Sequence, residues 1–172
     1  MSLNMINNIN FLFVTFFGIG TIRYAPGTIT SLITTLLLFS SFHILNLSNS
    51  IILIILITIF LCAFLAIANY IKDDSNKDPK EVVIDEVIGQ SIPIYMYEIA
   101  HGINKDSKEA ILFYIYIFIL FRFFDIKKPF PINFFDEKFK NSFGVLIDDI
   151  IAGFYVVLTL IIFMIIKSKL LA

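Results

Sequence analysis

Twenty-one consecutive residues, Ile51 to Ile71, carry no charged side chain. As an α-helix at ~1.5 Å per residue this run reaches roughly 30 Å, the thickness of a bilayer's hydrocarbon core. A membrane suits such a segment, because a helix satisfies its backbone polar groups internally and needs no water. Lys72-Asp73-Asp74 closes the run with charge. The preceding stretch, Thr28 to Leu47, is also uncharged, and Leu47-Ser48-Asn49-Ser50 reads as a short polar turn. The two segments are therefore expected to form an antiparallel hairpin.

Three further apolar runs follow. Val87 to Ala100 contains Gln90 and Glu98, with Pro93 as an expected kink. Ala110 to Phe124 is interrupted only by Arg122, and Ile150 to Ile166 ends in Lys167-Ser168-Lys169. His101 to Lys108 reads as a polar loop, and Phe11 to Phe17 is apolar but too short to cross. The expectation is a single domain over residues 1–172, an all-α polytopic membrane bundle of about five helices. Composition agrees: 58% of residues are hydrophobic and 16% charged, well away from the soluble average. A net charge of −1 gives no global field for nucleic acid or an anionic surface, so no nucleic-acid partner is expected. Cys62 is the lone cysteine, which excludes a disulfide within the chain, and it reads as a small apolar filler. Met1 to Asn10 has no Lys or Arg, so no cleavable signal peptide is expected.

Five crossings define two sides. With the segment before Thr28 in the cytoplasm, Arg23, Lys72, Lys77, Lys80, Arg122, Lys127, Lys128, Lys138 and Lys140 fall on that side. Lys105, Lys108, Lys167 and Lys169 fall opposite. The excess of cations agrees with the positive-inside bias and implies a multi-pass protein of the cytoplasmic membrane.

Four clusters then share the cytoplasmic face. Gly18 to Thr28 is a turn-rich lead into the first span; its glycines and Thr28 fit either a phosphate held at the helix start or ordinary Pro-Gly punctuation with a Thr cap. Val83-Ile84-Asp85-Glu86-Val87-Ile88-Gly89-Gln90 sets two acids at the mouth of a span, where they are costly unless paired, liganded or solvated. In the stretch Phe121 to Ile132, a helix continuing to Lys128 would place Arg122, Asp125 and Lys128 three apart on one face. That face suits a metal-bridged phosphate, or a basic anchor at the membrane edge. Gly144 to Gly153 carries Asp148 and Asp149, and the Asp149–Gly153 spacing repeats that of Asp85 and Gly89. In each, a glycine one turn deeper would let another helix or a ligand approach. Five carboxylates without a nearby His or Cys ligand set suit a hard ion such as Mg²⁺. His43 and His101 lie in the first span and the opposite loop, and both read as structural or solvated.

At these clusters the chain resembles the phosphatidylglycerophosphatase A family. The shared stretches are Gly-x-Gly followed by Ala-Pro-Gly-Thr (Gly18 to Thr28), Val-Ile-Asp-Glu-x-x-Gly (Val83 to Gly89), Phe-Arg-x-Phe-Asp-x-x-Lys-Pro-x-Pro-Ile (Phe121 to Ile132) and Gly-x-x-x-Asp-Asp-x-x-Ala-Gly (Gly144 to Gly153). The chain departs from the family pattern at Thr30, Gln90 and Phe130, and keeps Ser31. The resemblance implies an all-helical fold and Mg²⁺-dependent hydrolysis of phosphatidylglycerophosphate to phosphatidylglycerol and inorganic phosphate. On that expectation Asp85, Glu86, Asp148 and Asp149 bind Mg²⁺, and Asp125 is a further ligand or the base that activates water. Arg122 and Lys128 hold phosphate oxygens and Thr28 caps the phosphate, while the acyl chains stay in the bilayer. Asp85, Asp125 and Asp149 are the expected catalytic carboxylates.

Two rivals use the same acids. A lipid phosphotransferase would need a repeated Asp-x₃-Asp pattern, and a cation carrier would place acids near the bilayer midplane, where only Glu98 lies. Cysteinyl, aspartyl and histidyl phosphatase motifs are missing from the sequence. The sequence assigns no oligomeric state.

Overall fold

The computed structural model describes residues 2–73, 80–101, 107–139 and 141–170. Among these are seven α-helices and no strand: α1 (Ser2–Val14), α2 (Pro26–Phe39), α3 (Asn49–Asp73), α4 (Ile84–His101), α5 (Ser107–Lys127), α6 (Ile132–Lys138) and α7 (Ser142–Leu170). A 3₁₀ turn at Ile19–Thr21 precedes α2, and a π-type turn at Ser40–Ile44 extends it. The all-helical expectation holds, but the expected count of about five becomes seven. α1 and α6 are the additions. The helix of α1 begins in a polar, Asn-containing stretch with no apolar period, and tertiary packing supplies its reason to form: Asn10 Nδ2 donates to the Ala66 carbonyl of α3 at 3.0 Å. The seven residues of α6 lie below the length at which a helical pattern can be read.

Among the described residues, three helices are long and apolar enough to cross a membrane: Pro26–Ile44, Asn49–Ile71 and Ser142–Leu170. Their outward faces are dense in exposed apolar side chains, such as Leu53, Ile54 and Leu61 of α3 and Leu158, Ile162 and Met164 of α7. Water would penalise so large a contiguous patch, whereas lipid covers it at no cost. Cys62, the small apolar residue midway along α3, is free and lies exposed among these side chains. α4 and α5 form where expected, but their charged residues, such as Glu98 and Arg122, keep them below the apolarity of a span.

α4 is the central element. It packs most extensively on α7, and also on α2, α3 and α5. The turn between α2 and α3 is present, yet those two helices barely touch; α2 packs on α4 and α5, and α3 on α1, α4 and α7. The expected hairpin is therefore split by α4. The reason is chemical: α2 turns a buried row of small polar residues (Thr30, Ser31, Thr34 and Thr35) inward, a poor match for the aliphatic face of α3. Two apolar cores result. One gathers Ile94, Tyr114, Ile117, Phe121 and Val156 around α4, α5 and α7, and the other gathers Val14, Ala63, Ile67, Ile84 and Leu146 near the N-terminus of α4.

At the far end of α4, Glu98 is buried and its Oε1 lies 3.2 Å from His43 Nε2, while the Tyr114 hydroxyl donates to it at 3.1 Å. His43 is thus structural, and the carboxylate nearest the bilayer interior is partnered. His101 Nδ1 lies 3.1 Å from the Tyr97 carbonyl. Asp74, Lys77, Lys105 and Lys140, and most of the expected loop after His101, lie outside the described residues.

Candidate functional site

The site forms where α4 and α7 come closest. A Cβ added at Gly89 would lie 2.7 Å from the Asp149 carbonyl oxygen and 2.8 Å from Phe121. One added at Gly153 would lie 2.6 Å from the Gly89 carbonyl oxygen. No real Cβ tolerates such contacts, so each glycine lets the other helix's backbone through. The Asp-x₃-Gly echo seen in the sequence therefore marks a mutual close approach. Because each acid lies one turn from its glycine, the same approach draws Asp149 toward Asp85 and Glu86. Ligand oxygens of these three residues all lie within 4.8 Å of one another.

A third helix closes the cluster. Gly27, the second residue of α2, has no room for a Cβ because the Glu86 carboxylate occupies that space, with Arg122 Nη1 3.4 Å from the same point. The turn before α2 is anchored nearby, with Gly20 against the backbone of Glu81 and the Val83 amide donating to the Val14 carbonyl at 3.0 Å. Ala25, with φ +46°, is the N-cap of α2 and Pro26 opens the helix. Thr28 is consequently the third helical residue, half-buried, and not the cap.

α5 contributes the cation. Arg122 Nη1 pairs with Asp125 Oδ2 at 2.8 Å and donates to Ser31 Oγ at 3.3 Å. The helix stops at Lys127, and Lys128 takes a left-handed conformation with φ +42°. Lys128 therefore leaves the Arg122–Asp125 face, contrary to the expectation of one continuous face. Its Nζ pairs instead with Asp148 Oδ2 at 2.8 Å. Asp148 and Asp149 divide: the first faces Lys128, the second faces α4. Adjacent helical residues point about 100° apart, so two neighbouring acids can face different partners.

The structure thus brings together Asp85, Glu86 and Asp149, with Arg122 and Asp125 beside Glu86 and the Lys128–Asp148 pair at the edge. Three oxygens at this spacing repel one another, and a cation at their centre turns that repulsion into attraction. Oxygen donors alone, with one Glu86 oxygen buried and lacking a partner, fit a hard divalent ion. Gly27 was read only as part of the Gly18 to Thr28 stretch, and Ser31 only as a residue kept from the family pattern. Their signal was the four-residue spacing in Gly27-Thr-Ile-Thr-Ser31, which sets both on one face of α2.

Comparison with known proteins agrees. The family profile of phosphatidylglycerophosphatase A matches residues 12–164. Phosphatidylglycerophosphatase A of Haemophilus influenzae is 37% identical over 156 residues, covering 91% of this chain and 88% of its own. The Escherichia coli protein of the same name is 33% identical over 141 residues, or 80% and 73% of the two chains. A Bacteroides thetaiotaomicron protein, provisionally named a phosphatidylinositol-3-phosphatase, is 31% identical over 140 residues, covering 81% and 83%. No solved structure matches. With these carboxylates gathered as the motifs require and the match running over most of its length, the chain belongs to the phosphatidylglycerophosphatase A family of phosphatases.

Proposed function

We propose that this phosphatase hydrolyses the terminal phosphate of phosphatidylglycerophosphate at the cytoplasmic face of the inner membrane, releasing phosphatidylglycerol and inorganic phosphate. The observation that carries the reading is the three-carboxylate cluster beside Arg122, within a chain of this family. Asp85, Glu86 and Asp149 would hold Mg²⁺, which supplies charge neutralisation of the phosphate and acidification of a bound water. Arg122, held by Asp125 and Ser31, directs its guanidinium at phosphate oxygens, for which its planar donors are suited. Lys128 adds a second cation, with Asp148 fixing its position. Thr28, one residue from the Gly27–Glu86 contact, lies where a helix N-terminus favours anions. Asp125 orients Arg122 through their ion pair, and in this reading it would also be a further ligand or the base that takes the water's proton.

An apolar groove of about 350 Å³ between α3, α4 and α7 supports a lipid substrate. Val87, Ile88 and Ile150 line it, and they directly follow Glu86 and Asp149 in the sequence. One acyl chain lying there would leave its head group at the carboxylates. Filling the groove by Ile92→Trp is expected to raise KM for long-chain lipid about tenfold while leaving that for a short-chain, soluble analogue little changed. Equal effects on both substrates would show that the groove does not hold the acyl chain.

The deciding measurement is phosphate release by purified protein in detergent from phosphatidylglycerophosphate, with Mg²⁺ and then with EDTA. Release should fall by at least about a hundredfold when the ion is removed and return when Mg²⁺ is restored. Phosphatidylinositol 3-phosphate, the lipid class in the name of the Bacteroides relative, belongs in the same panel. Faster release from that lipid, or EDTA-insensitive release, would displace the reading.

A further inference from the structure

Six buried side-chain atoms have no hydrogen-bond partner among the described residues: Thr30 Oγ1, Thr34 Oγ1, Glu86 Oε2, Gln90 Nε2 and Oε1, and Arg122 Nε. Thr30 and Gln90 are 0% exposed and Thr34 is 3% exposed. All six belong to three neighbouring helices, α2, α4 and α5. α2 and α4 run side by side in the same direction, since Gly27 meets Glu86 at their start and His43, just past α2, meets Glu98 near the end of α4. Thr30 is three residues beyond Gly27, and Gln90 is four beyond Glu86. Both are therefore one turn, about 5.4 Å, deeper than the carboxylates and level with each other. Arg122 reaches the same level through Ser31, the neighbour of Thr30.

Buried polar groups are rarely left unmatched, so this many on three mutually packed helices point to a partner that the described residues do not supply. The composition of the set identifies its chemistry. Glu86 Oε2 is met by the ion proposed above; of the rest, Arg122 Nε and Gln90 Nε2 donate, Gln90 Oε1 accepts, and the threonine hydroxyls do both. A phosphate would want donors only and would leave Gln90 Oε1 unmatched. A hydroxyl gives and receives, and it matches the mixture.

We propose that Thr30, Gln90 and Arg122 Nε form a subsite for a hydroxyl of the lipid head group, the free secondary hydroxyl of the glycerol that separates the two phosphates of phosphatidylglycerophosphate. Gln90 and Thr30 are then specificity-determining residues for the reaction proposed above, and the assignment rests on that reading. With the terminal phosphate at the carboxylates, the neighbouring carbon's hydroxyl falls within the turn where these groups wait. Thr34, one turn deeper still, extends the same polar seam.

The test compares phosphatidylglycerophosphate with an analogue whose head group is built on propane-1,3-diol, identical but lacking that hydroxyl. The full-length protein in detergent should favour the natural head group by at least about a hundredfold in kcat/KM, because a site built for a hydroxyl leaves its own groups unpaired when the hydroxyl is missing. Gln90→Met and Thr30→Val keep the side-chain shape and remove the polar atoms. In each, the preference should shrink to less than about tenfold, mainly through loss on the natural lipid. No preference in the unaltered protein overturns the proposal. So does an unchanged preference in both variants; a lowered Tm alongside it would assign the atoms to a structural water. If the unaltered protein releases phosphate from neither lipid, the substrate reading itself has failed and this inference falls with it.

Discussion

Replacing Asp85 or Asp149 with asparagine is expected to reduce phosphate release by about a thousandfold or more, equivalent to about 4 kcal/mol of barrier. Each substitution removes one of three oxygens that converge within 4.8 Å, and a neutral amide cannot replace a carboxylate's charge at a divalent ion. The bundle should remain folded. Without Mg²⁺, each variant should melt no lower than the parent, because it removes one of three mutually repelling charges from a site beside buried helices. With Mg²⁺ the order should reverse, since only the parent gains stability from the ion. Thermal unfolding in both conditions, together with the phosphate assay, separates a lost ligand from a lost fold. Full turnover in either variant would remove that residue from the site.

The second large effect concerns packing. Gly89→Val or Gly153→Val should destabilise the protein by at least about 2–3 kcal/mol and abolish activity as well. Even the first carbon of a side chain at Gly89 would lie 2.7 Å from the Asp149 carbonyl oxygen, and at Gly153 2.6 Å from the Gly89 carbonyl oxygen. These obstacles are backbone atoms that cannot swing aside. α4 and α7 must therefore separate, and Asp149 moves away from Asp85 and Glu86 as they do. A valine variant with parental Tm and parental turnover would show that the close approach is dispensable.

These glycines also show what the sequence could and could not reveal. The matched Asp-x₃-Gly spacings were legible, and they marked the helix–helix contact that assembles the cluster. The membrane character and the sites of α2, α3, α4, α5 and α7 were legible as well, because long uncharged runs leave few alternatives. Which acid of the Asp148–Asp149 pair joins the cluster was not. Asp148 and Asp149 differ by a single step around α7, and only the placement of Lys128 and α4 decides between them. That placement depends in turn on Lys128 adopting φ +42°, a local choice that no helical periodicity encodes. α1 escaped for a related reason, since its register is imposed by α3. The complete burial of Gln90 was hidden too: an amide within an apolar run signals a polar need, but the helices that pack on α4 come from distant parts of the chain.

The buried Glu98 has a consequence for how the protein is made. Its described partners are His43, which is synthesised before it, and Tyr114, which is synthesised after it. A chain threaded into the membrane one helix at a time would bring α4 in with a carboxylate only partly matched, a costly intermediate in hydrocarbon. The cost is relieved if α4 waits at the interface and enters with α5 as one hairpin. The pairing at the far end of the bundle is thus expected to favour joint entry of two helices whose charged residues make each a poor span alone.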